Sequence, residues 1–506
     1  MWAKRSLQCS RAPHVGWLLL VLLAAAAPRF LWYRTHHPWL PPDSYGYLNV
    51  AREWRGEPVP LGVWDDRSQL PADNQAARTP GYPLFLNLVF ALTGHAPTPD
   101  ASLADARHVL IPGVGTGARA VHLRHLNTDQ NVRAVQAVQH GVGVVAAGLA
   151  FLIAYRWTSR ASAAAVAAIV GVAWNPVLIV TLEPQVMAET LAGTLLIAII
   201  WLLTRQTRTS DGLAAALCGV SVVVRPAMLF AALPILVYLL WNNRRHLFDA
   251  TVLLALPLLL LTLLAANNGL RYGYWGISSI GGATLLTHAA AHADALDEPA
   301  RSVAAPFRPY FPSGFVVVQR VASLRGTSYF EAVRIVNAIA VQYVLRHPRW
   351  YLESVGESLL DFFSPPLRYI PGQTNVFRTR FPRAWMVLSG VAELVFIAGL
   401  AAFSMRVAGT MKLGAAMFAL SGVATSMTSH LENPRFAAPL VPIVMMSGVA
   451  VMYFAMRDSL NRWRTRPAGV SGAGDDRPAD RGRGDCRCAA PEGRTLDRPV
   501  DKTFNM

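Results

Sequence analysis

Leu213–Trp241 reads LAAALCGVSVVVRPAMLFAALPILVYLLW, twenty-nine residues whose only charge is Arg225. A stretch so long and apolar belongs in a hydrocarbon core, and Arg225-Pro226 splits it. Two readings are open: one kinked helix, or two short spans of 213–224 and 227–241 meeting at a turn. Similar stretches recur along the chain at 134–155, 161–180, 187–204, 250–267, 384–405, 413–430 and 436–456, with a first one from residue 16. Read with the turn, they make ten expected spans.

Composition agrees. Of 506 residues 53% are hydrophobic and 15% charged, and the mean hydropathy is +0.32. A soluble domain carries about 25% charged residues, which excludes a cytosolic enzyme. The net charge of +16 does not point to nucleic acid, because Lys and Arg sit in short clusters between apolar stretches and in a polar tail. Four scattered cysteines, Cys9, Cys218, Cys486 and Cys488, make no disulfide framework.

The basic clusters set an expected orientation. Lys4, Arg5 and Arg11 precede the first span; Arg156/Arg160, Arg205/Arg208, Arg244/Arg245 and Arg406/Lys412 occupy alternate short loops. The intervening short loops hold only Arg225 and Arg435. By the positive-inside rule the amino terminus (1–15) is cytoplasmic. The even span count then makes the tail (457–506) cytoplasmic too. It also favours two spans over a kinked helix, which would put Arg244 and Arg245 outside. The alternative for residues 1–27 is a signal peptide with Ala24–Ala27 as its cleavage region. The first span is expected to stay, because Phe30-Leu31-Trp32-Tyr33 extends it with an aromatic anchor. The tail is rich in Arg, Asp, Gly and Pro and reads as disordered.

Two long segments, 35–132 and 268–383, then face outward from the membrane domain of 16–456. The first holds an apolar island, Gly81–Gly94, whose fourteen residues rise about 21 Å as a helix, too short for a core of about 30 Å. It reads as an interfacial helix. The second holds a Gly/Ser stretch, Gly276–Gly282, and an amphipathic one, Arg349–Phe363.

Polar groups at the outer ends of spans are costly unless paired or functional. They are Asp43, Arg78, Glu183, Glu189, Arg225, His430, Glu432 and Arg435. Three of them also have a plain structural explanation. Asp43 could cap the helix that opens Ser44-Tyr45-Gly46-Tyr47. Arg78 could snorkel to the headgroups. Glu189 could merely suit a helix N-terminus. Arg225 and Arg435, alone in their loops, suit an anionic headgroup or phosphate.

In order, Asp43-Ser44-Tyr45-Gly46-Tyr47, Arg78-Thr79-Pro80-Gly81-Tyr82-Pro83, Ala188-Glu189-Thr190, Val224-Arg225-Pro226 and Glu432-Asn433-Pro434-Arg435-Phe436 resemble the GT-C class of membrane glycosyltransferases. Within that class they resemble the family 39 branch around protein O-mannosyltransferases and the lipid A aminoarabinose transferase. The resemblance spans about residues 10–460. Two elements depart from the pattern: Asp43-Ser44 stands for the usual acidic pair, and Arg78-Thr79-Pro80 for a basic-Pro-Pro motif.

The resemblance implies an all-α, GT-C-like bundle of about ten spans in the cell membrane. It implies transfer of a sugar from a polyprenyl-phosphate donor to a glycan, lipid or protein hydroxyl, by an inverting single displacement. Asp43 becomes the catalytic carboxylate and base, with Glu189 as the second candidate. Arg78, Arg225 and Arg435 would bind donor phosphate, and Tyr45, Tyr47 and Tyr82 are counted with the substrate-binding residues. No cofactor is expected. With no Asp-x-Asp pair in the long loops a metal is not required, though His430 and Glu432 could hold one. The competing classes are a lipid-linked glycan ligase or polymerase and a multi-span transporter.

Overall fold

The stretch around Arg225 forms two helices. In a computed structural model, Arg208–Val224 ends where Arg225 turns to extended backbone (φ −150°, ψ 114°), and the next helix begins at Met228. The two helices pack on each other. The first begins five residues ahead of the expected span because Thr207 and Ser210 form a reciprocal capping box, which satisfies orphan amides of the first turn.

The structure describes residues 13–36, 38, 40, 42–57, 78–94, 109–110, 119–120, 130–243, 247–298, 300–304, 314–363, 382–402, 407–429 and 433–465. His430, Glu432, the amino-terminal basic residues, Cys9, the tail with Cys486 and Cys488, and the disorder expected there lie outside the described residues. The chain divides into a unit of Met1–Arg457 and one of Asp458–Met506.

The described chain is almost wholly helical. In order the helices are α1 (Pro13–Thr35), α2 (Pro42–Trp54), α3 (Gly81–Thr93), α4 (Gln130–Thr158), α5 (Ala161–Ala168), α6 (Glu189–Arg205), α7 (Arg208–Val224), α8 (Met228–Asn243) and α9 (Leu247–Tyr272). Then come α10 (Gly281–Leu286), α11 (Ala300–Ala304), α12 (Gly314–Arg325), α13 (Tyr329–Arg346), α14 (Pro348–Phe362), α15 (Pro382–Ala401), α16 (Gly409–Thr428), α17 (Asn433–Ala437) and α18 (Val441–Thr465). The one ladder described is two residues long, Val109–Leu110 against Arg119–Ala120.

Among the described residues five helical stretches are long and apolar enough to cross a membrane: His14–Thr35, Asn131–Thr158, Ala161–Leu182, Leu253–Tyr272 and Val441–Trp463. Helices α6, α7, α8, α15 and α16 occupy the other expected spans. Leucines such as Leu258, Leu259, Leu263 and Leu394 stay exposed along them, the surface that lipid rather than water covers. This is an all-α, multi-span membrane protein.

Residues 161–180 depart from the single regular helix expected. After α5 the chain widens to a π-helical turn, Ile169–Ala173, breaks at Trp174-Asn175, and resumes as a second π segment, Val177–Leu182. Pro176 has no amide hydrogen to continue the ladder. Asn175 repairs part of the break, donating from Nδ2 to the Gly171 carbonyl and accepting from the Val177 amide at 3.0 Å.

The segment after α9 has its own core. Val317, Val321, Val333, Val336, Tyr343, Tyr351 and Val355 are buried in it, contributed by α12, α13 and α14. It is tied to the end of α16, where the Tyr351 hydroxyl donates to the Met427 carbonyl at 2.7 Å and Ser358 to the Ser429 carbonyl.

Candidate functional site

Asp43 stands in the first turn of α2, but its carboxylate oxygens face arginines. Oδ1 accepts from Arg78 Nη2 at 2.6 Å and Oδ2 from Arg435 Nη1. Arg435, on α17, also donates from Nε to Glu189 Oε1 at the start of α6. Arg225, at the break between α7 and α8, lies 3.2 Å from the same oxygen. The five groups make an alternating chain, Arg78, Asp43, Arg435, Glu189, Arg225, drawn from five separate places in the sequence. Three guanidiniums and two carboxylates meet there among the described residues.

The close approach has a backbone cause. A Cβ at Gly46, one turn after Asp43, would come within 2.7 Å of Arg78 Nε. Only glycine leaves the guanidinium room to lie along α2. The Tyr47 ring then supports Arg78, with the guanidinium carbon 5.1 Å from the ring centroid, a cation–π contact.

Burial by itself would raise the Asp43 pKa. The charges of Arg78 and Arg435, with their hydrogen bonds, outweigh it and hold the carboxyl well below the usual carboxylate range. Burial raises the Tyr47 and Tyr82 hydroxyls above the ordinary tyrosine value, so both stay protonated at neutral pH.

Asp43, Tyr47, Arg78, Arg225 and Arg435 line a cavity of about 510 Å³. Its other walls are of two kinds. Leu229, Phe230, Ile277, Ile280 and Phe436 are apolar; Ser278, Thr284, Thr425 and Thr428 carry hydroxyls. The cavity thus joins a cationic end to an apolar wall.

Not every expected site residue lines it. Glu189 is buried behind the arginines and touches the cavity only through them. Tyr82 is fully buried and outside the lining; its hydroxyl donates to Gln139 Oε1 at 2.6 Å. The side chain of Tyr45 lies outside the described residues, as do His430 and Glu432. Among the described residues no group of three His, Cys, Asp or Glu side chains could hold a metal.

Glu183 belongs to a different cluster. Its carboxylate accepts from Arg29 Nη2 at 2.7 Å and Arg29 Nε at 2.9 Å, and sits 2.7 Å from His140 Nδ1. Arg29 Nη1 also donates to the Ala173 carbonyl, freed by the break after α5. Again a glycine makes room: a Cβ at Gly143 would come within 2.7 Å of Arg29 Nε. Arg29 and His140 escaped the sequence reading, although a lone arginine after Pro28 and a histidine inside an apolar helix were visible signals. The hydroxyl wall from α16 had no such signal.

No protein-family model matches the chain, and no curated protein does. Among solved structures it is similar to the Archaeoglobus fulgidus oligosaccharyltransferase in complex with Zn and sulfate, at 10% identity and a TM-score of 0.43, covering 88% of this chain and 50% of that one. The oligosaccharyltransferase AglB from Archaeoglobus fulgidus, in complex with an inhibitory peptide and a dolichol-phosphate, gives 10% identity and 0.43 over 89% and 51%. ArnT from Cupriavidus metallidurans bound to undecaprenyl phosphate gives 14% and 0.35 over 88% and 80%. The chain spans about half the length of the archaeal structures.

Proposed function

We propose that this chain is a GT-C-type membrane glycosyltransferase that moves a sugar from a polyprenyl-phosphate donor to a hydroxyl acceptor. The observation that carries the reading is the cavity in which Asp43, Arg78, Arg225 and Arg435 meet a wall of apolar side chains. A lipid phosphate has the same two halves, an anion and a hydrocarbon chain. Guanidiniums bind phosphate with charge and with paired donors, and an apolar wall takes the first isoprene units.

In the reaction the acceptor oxygen attacks the anomeric carbon as the bond from that carbon to the phosphate oxygen breaks. The acceptor proton goes to Asp43. The leaving group departs as a phosphate monoester with one more negative charge than the donor diester, and Arg78 and Arg435 are positioned to stabilise it. The configuration inverts.

With both guanidiniums upon it Asp43 is a poor base, since they hold its proton affinity down. Donor phosphate competes for those guanidiniums. As they turn to it, the burial that they had outweighed raises the basicity of Asp43 when the acceptor needs it. Glu189 keeps hold of Arg435 and Arg225 from behind, which suits it to orienting them.

Both termini are assigned to the cytoplasm and the cavity to the outer face, on the distribution of basic residues. A reporter fused after Arg466 should then be active in the cytoplasm and one near Ala104 outside. Finding residue 104 inside would overturn the site's orientation. The catalytic test is transfer from radiolabelled polyprenyl-phosphate sugars by purified protein, with release of polyprenyl phosphate. A transporter or receptor would leave the donors intact, and a ligase would require a diphosphate-linked glycan.

A further inference from the structure

Tyr82 and Gln139 are fully buried, outside the cavity, and joined by a hydrogen bond whose direction is fixed. The amide nitrogen of Gln139 donates to two backbone carbonyls, Glu183 at 2.8 Å and Gln185 at 2.6 Å. Both amide hydrogens are thereby used, so Oε1 can only accept, and the Tyr82 hydroxyl must donate to it. The raised pKa of that hydroxyl keeps the donor hydrogen in place.

The chain of contacts continues toward the site. The Tyr82 ring meets the Tyr47 ring edge-on, with centroids 5.0 Å apart and planes at 76°. The Tyr47 ring carries Arg78, and Arg78 holds Asp43. At the far end, the carbonyl of Glu183 is anchored because the side chain of the same residue is locked between Arg29 and His140.

We infer that Gln139 and Tyr82 are positioning residues for Arg78, and that the path from Gln139 through Tyr82 and Tyr47 holds this guanidinium in line for the donor phosphate. The inference rests on the proposed function, because Arg78 needs such a hold only if it exchanges Asp43 for phosphate. When Arg78 lets go of the carboxylate, the face of Tyr47 is the contact that remains among those described for it. A tilt of Tyr47 would then move the guanidinium.

The discriminating measurement is a thermodynamic cycle on binding of polyprenyl phosphate, followed by tryptophan fluorescence of the full-length protein in detergent. Tyr82→Phe keeps the ring and removes only the hydroxyl. In the otherwise native protein it should weaken binding by about threefold to tenfold, the range of one buried hydrogen bond. In an Arg78→Ala background the same change should cost less than about twofold, because the group being positioned is gone. Gln139→Leu should behave like Tyr82→Phe, and the two together like either alone. Equal losses in both backgrounds would mark a general packing effect and overturn the inference, as would no loss in the native background. Failure of the unmodified protein to bind polyprenyl phosphate would instead overturn the proposed function. Tyr47→Leu removes the supporting ring and should weaken binding.

Discussion

Two charged clusters lie in one helical body, and they differ mainly in what they open onto. In one, Arg29, Glu183 and His140 leave no more than 6% of any side chain accessible, and each arginine nitrogen reaches a carboxylate or a backbone carbonyl. In the other, 29% of the Arg435 side chain is accessible, and three arginines and Asp43 line a cavity. Both are buried, paired and made possible by a glycine. Burial and pairing therefore do not distinguish a site from a structural lock; access to a cavity does. The sealed cluster ties α1 and α4 to the broken segment after α5. The open cluster leaves its guanidiniums able to change partners.

The largest effect should come from breaking the sealed cluster. Glu183→Gln keeps the shape but leaves Arg29 buried without its counter-charge, and should destabilise the protein by about 3–5 kcal/mol. The expected result is loss of folded protein on extraction and a lower melting temperature. Glu189→Gln should cost clearly less, since Arg435 and Arg225 border a cavity that solvent can reach. Equal losses in melting temperature would erase the distinction between the clusters.

Asp43→Asn should act on turnover more than on folding. Asparagine caps a helix about as well as aspartate, so a capping role predicts no change. As the base, its loss should lower turnover by about a hundredfold or more, with expression retained. Near-native transfer by the purified variant would return Asp43 to a structural role and make Glu189 the candidate base.

Arg78→Ala should raise the donor concentration needed for half-maximal rate and lower turnover, together worth about 2–4 kcal/mol. Arg78→Lys should retain part of this, because lysine supplies the charge without the fork. Steady-state kinetics against donor concentration separates the two. Unchanged kinetics in Arg78→Ala would leave Arg78 as an interface anchor.

The smallest effect is one of pH. The folded-state pKa of Asp43 lies below its unfolded value of about 3.9. Its contribution to stability is then complete above that value and lost only as the pH falls through the lower, folded one. The difference in melting temperature between the native protein and Asp43→Asn should therefore stay constant from about pH 8 to pH 5. A difference that shrinks across that range would mean that Asp43 is not held by Arg78 and Arg435.

Hydropathy alone determined the architecture. A hydrocarbon core admits backbone only with its hydrogen bonds satisfied locally, so each apolar stretch has to be helix. The ten expected spans correspond to helical stretches, with boundaries shifted by local chemistry such as the Thr207 box. The regular helix expected over 161–180 failed for an equally local reason, Pro176, whose effect on Ile169–Leu182 depends on which neighbours can take up the freed carbonyls. Cost in the membrane also singled out Asp43, Arg78, Glu183, Glu189, Arg225 and Arg435 as a set, because a charge beside hydrocarbon must find a partner. Partner choice was decided by the tertiary structure. Asp43 and Arg435 are 392 positions apart and Arg29 and Glu183 are 154 apart. Which carboxylate meets which arginine depends on helix packing, and no spacing in the chain encodes it. The same packing sent Glu183 to a sealed lock and Tyr82 behind Tyr47, and brought α16 hydroxyls to the cavity wall.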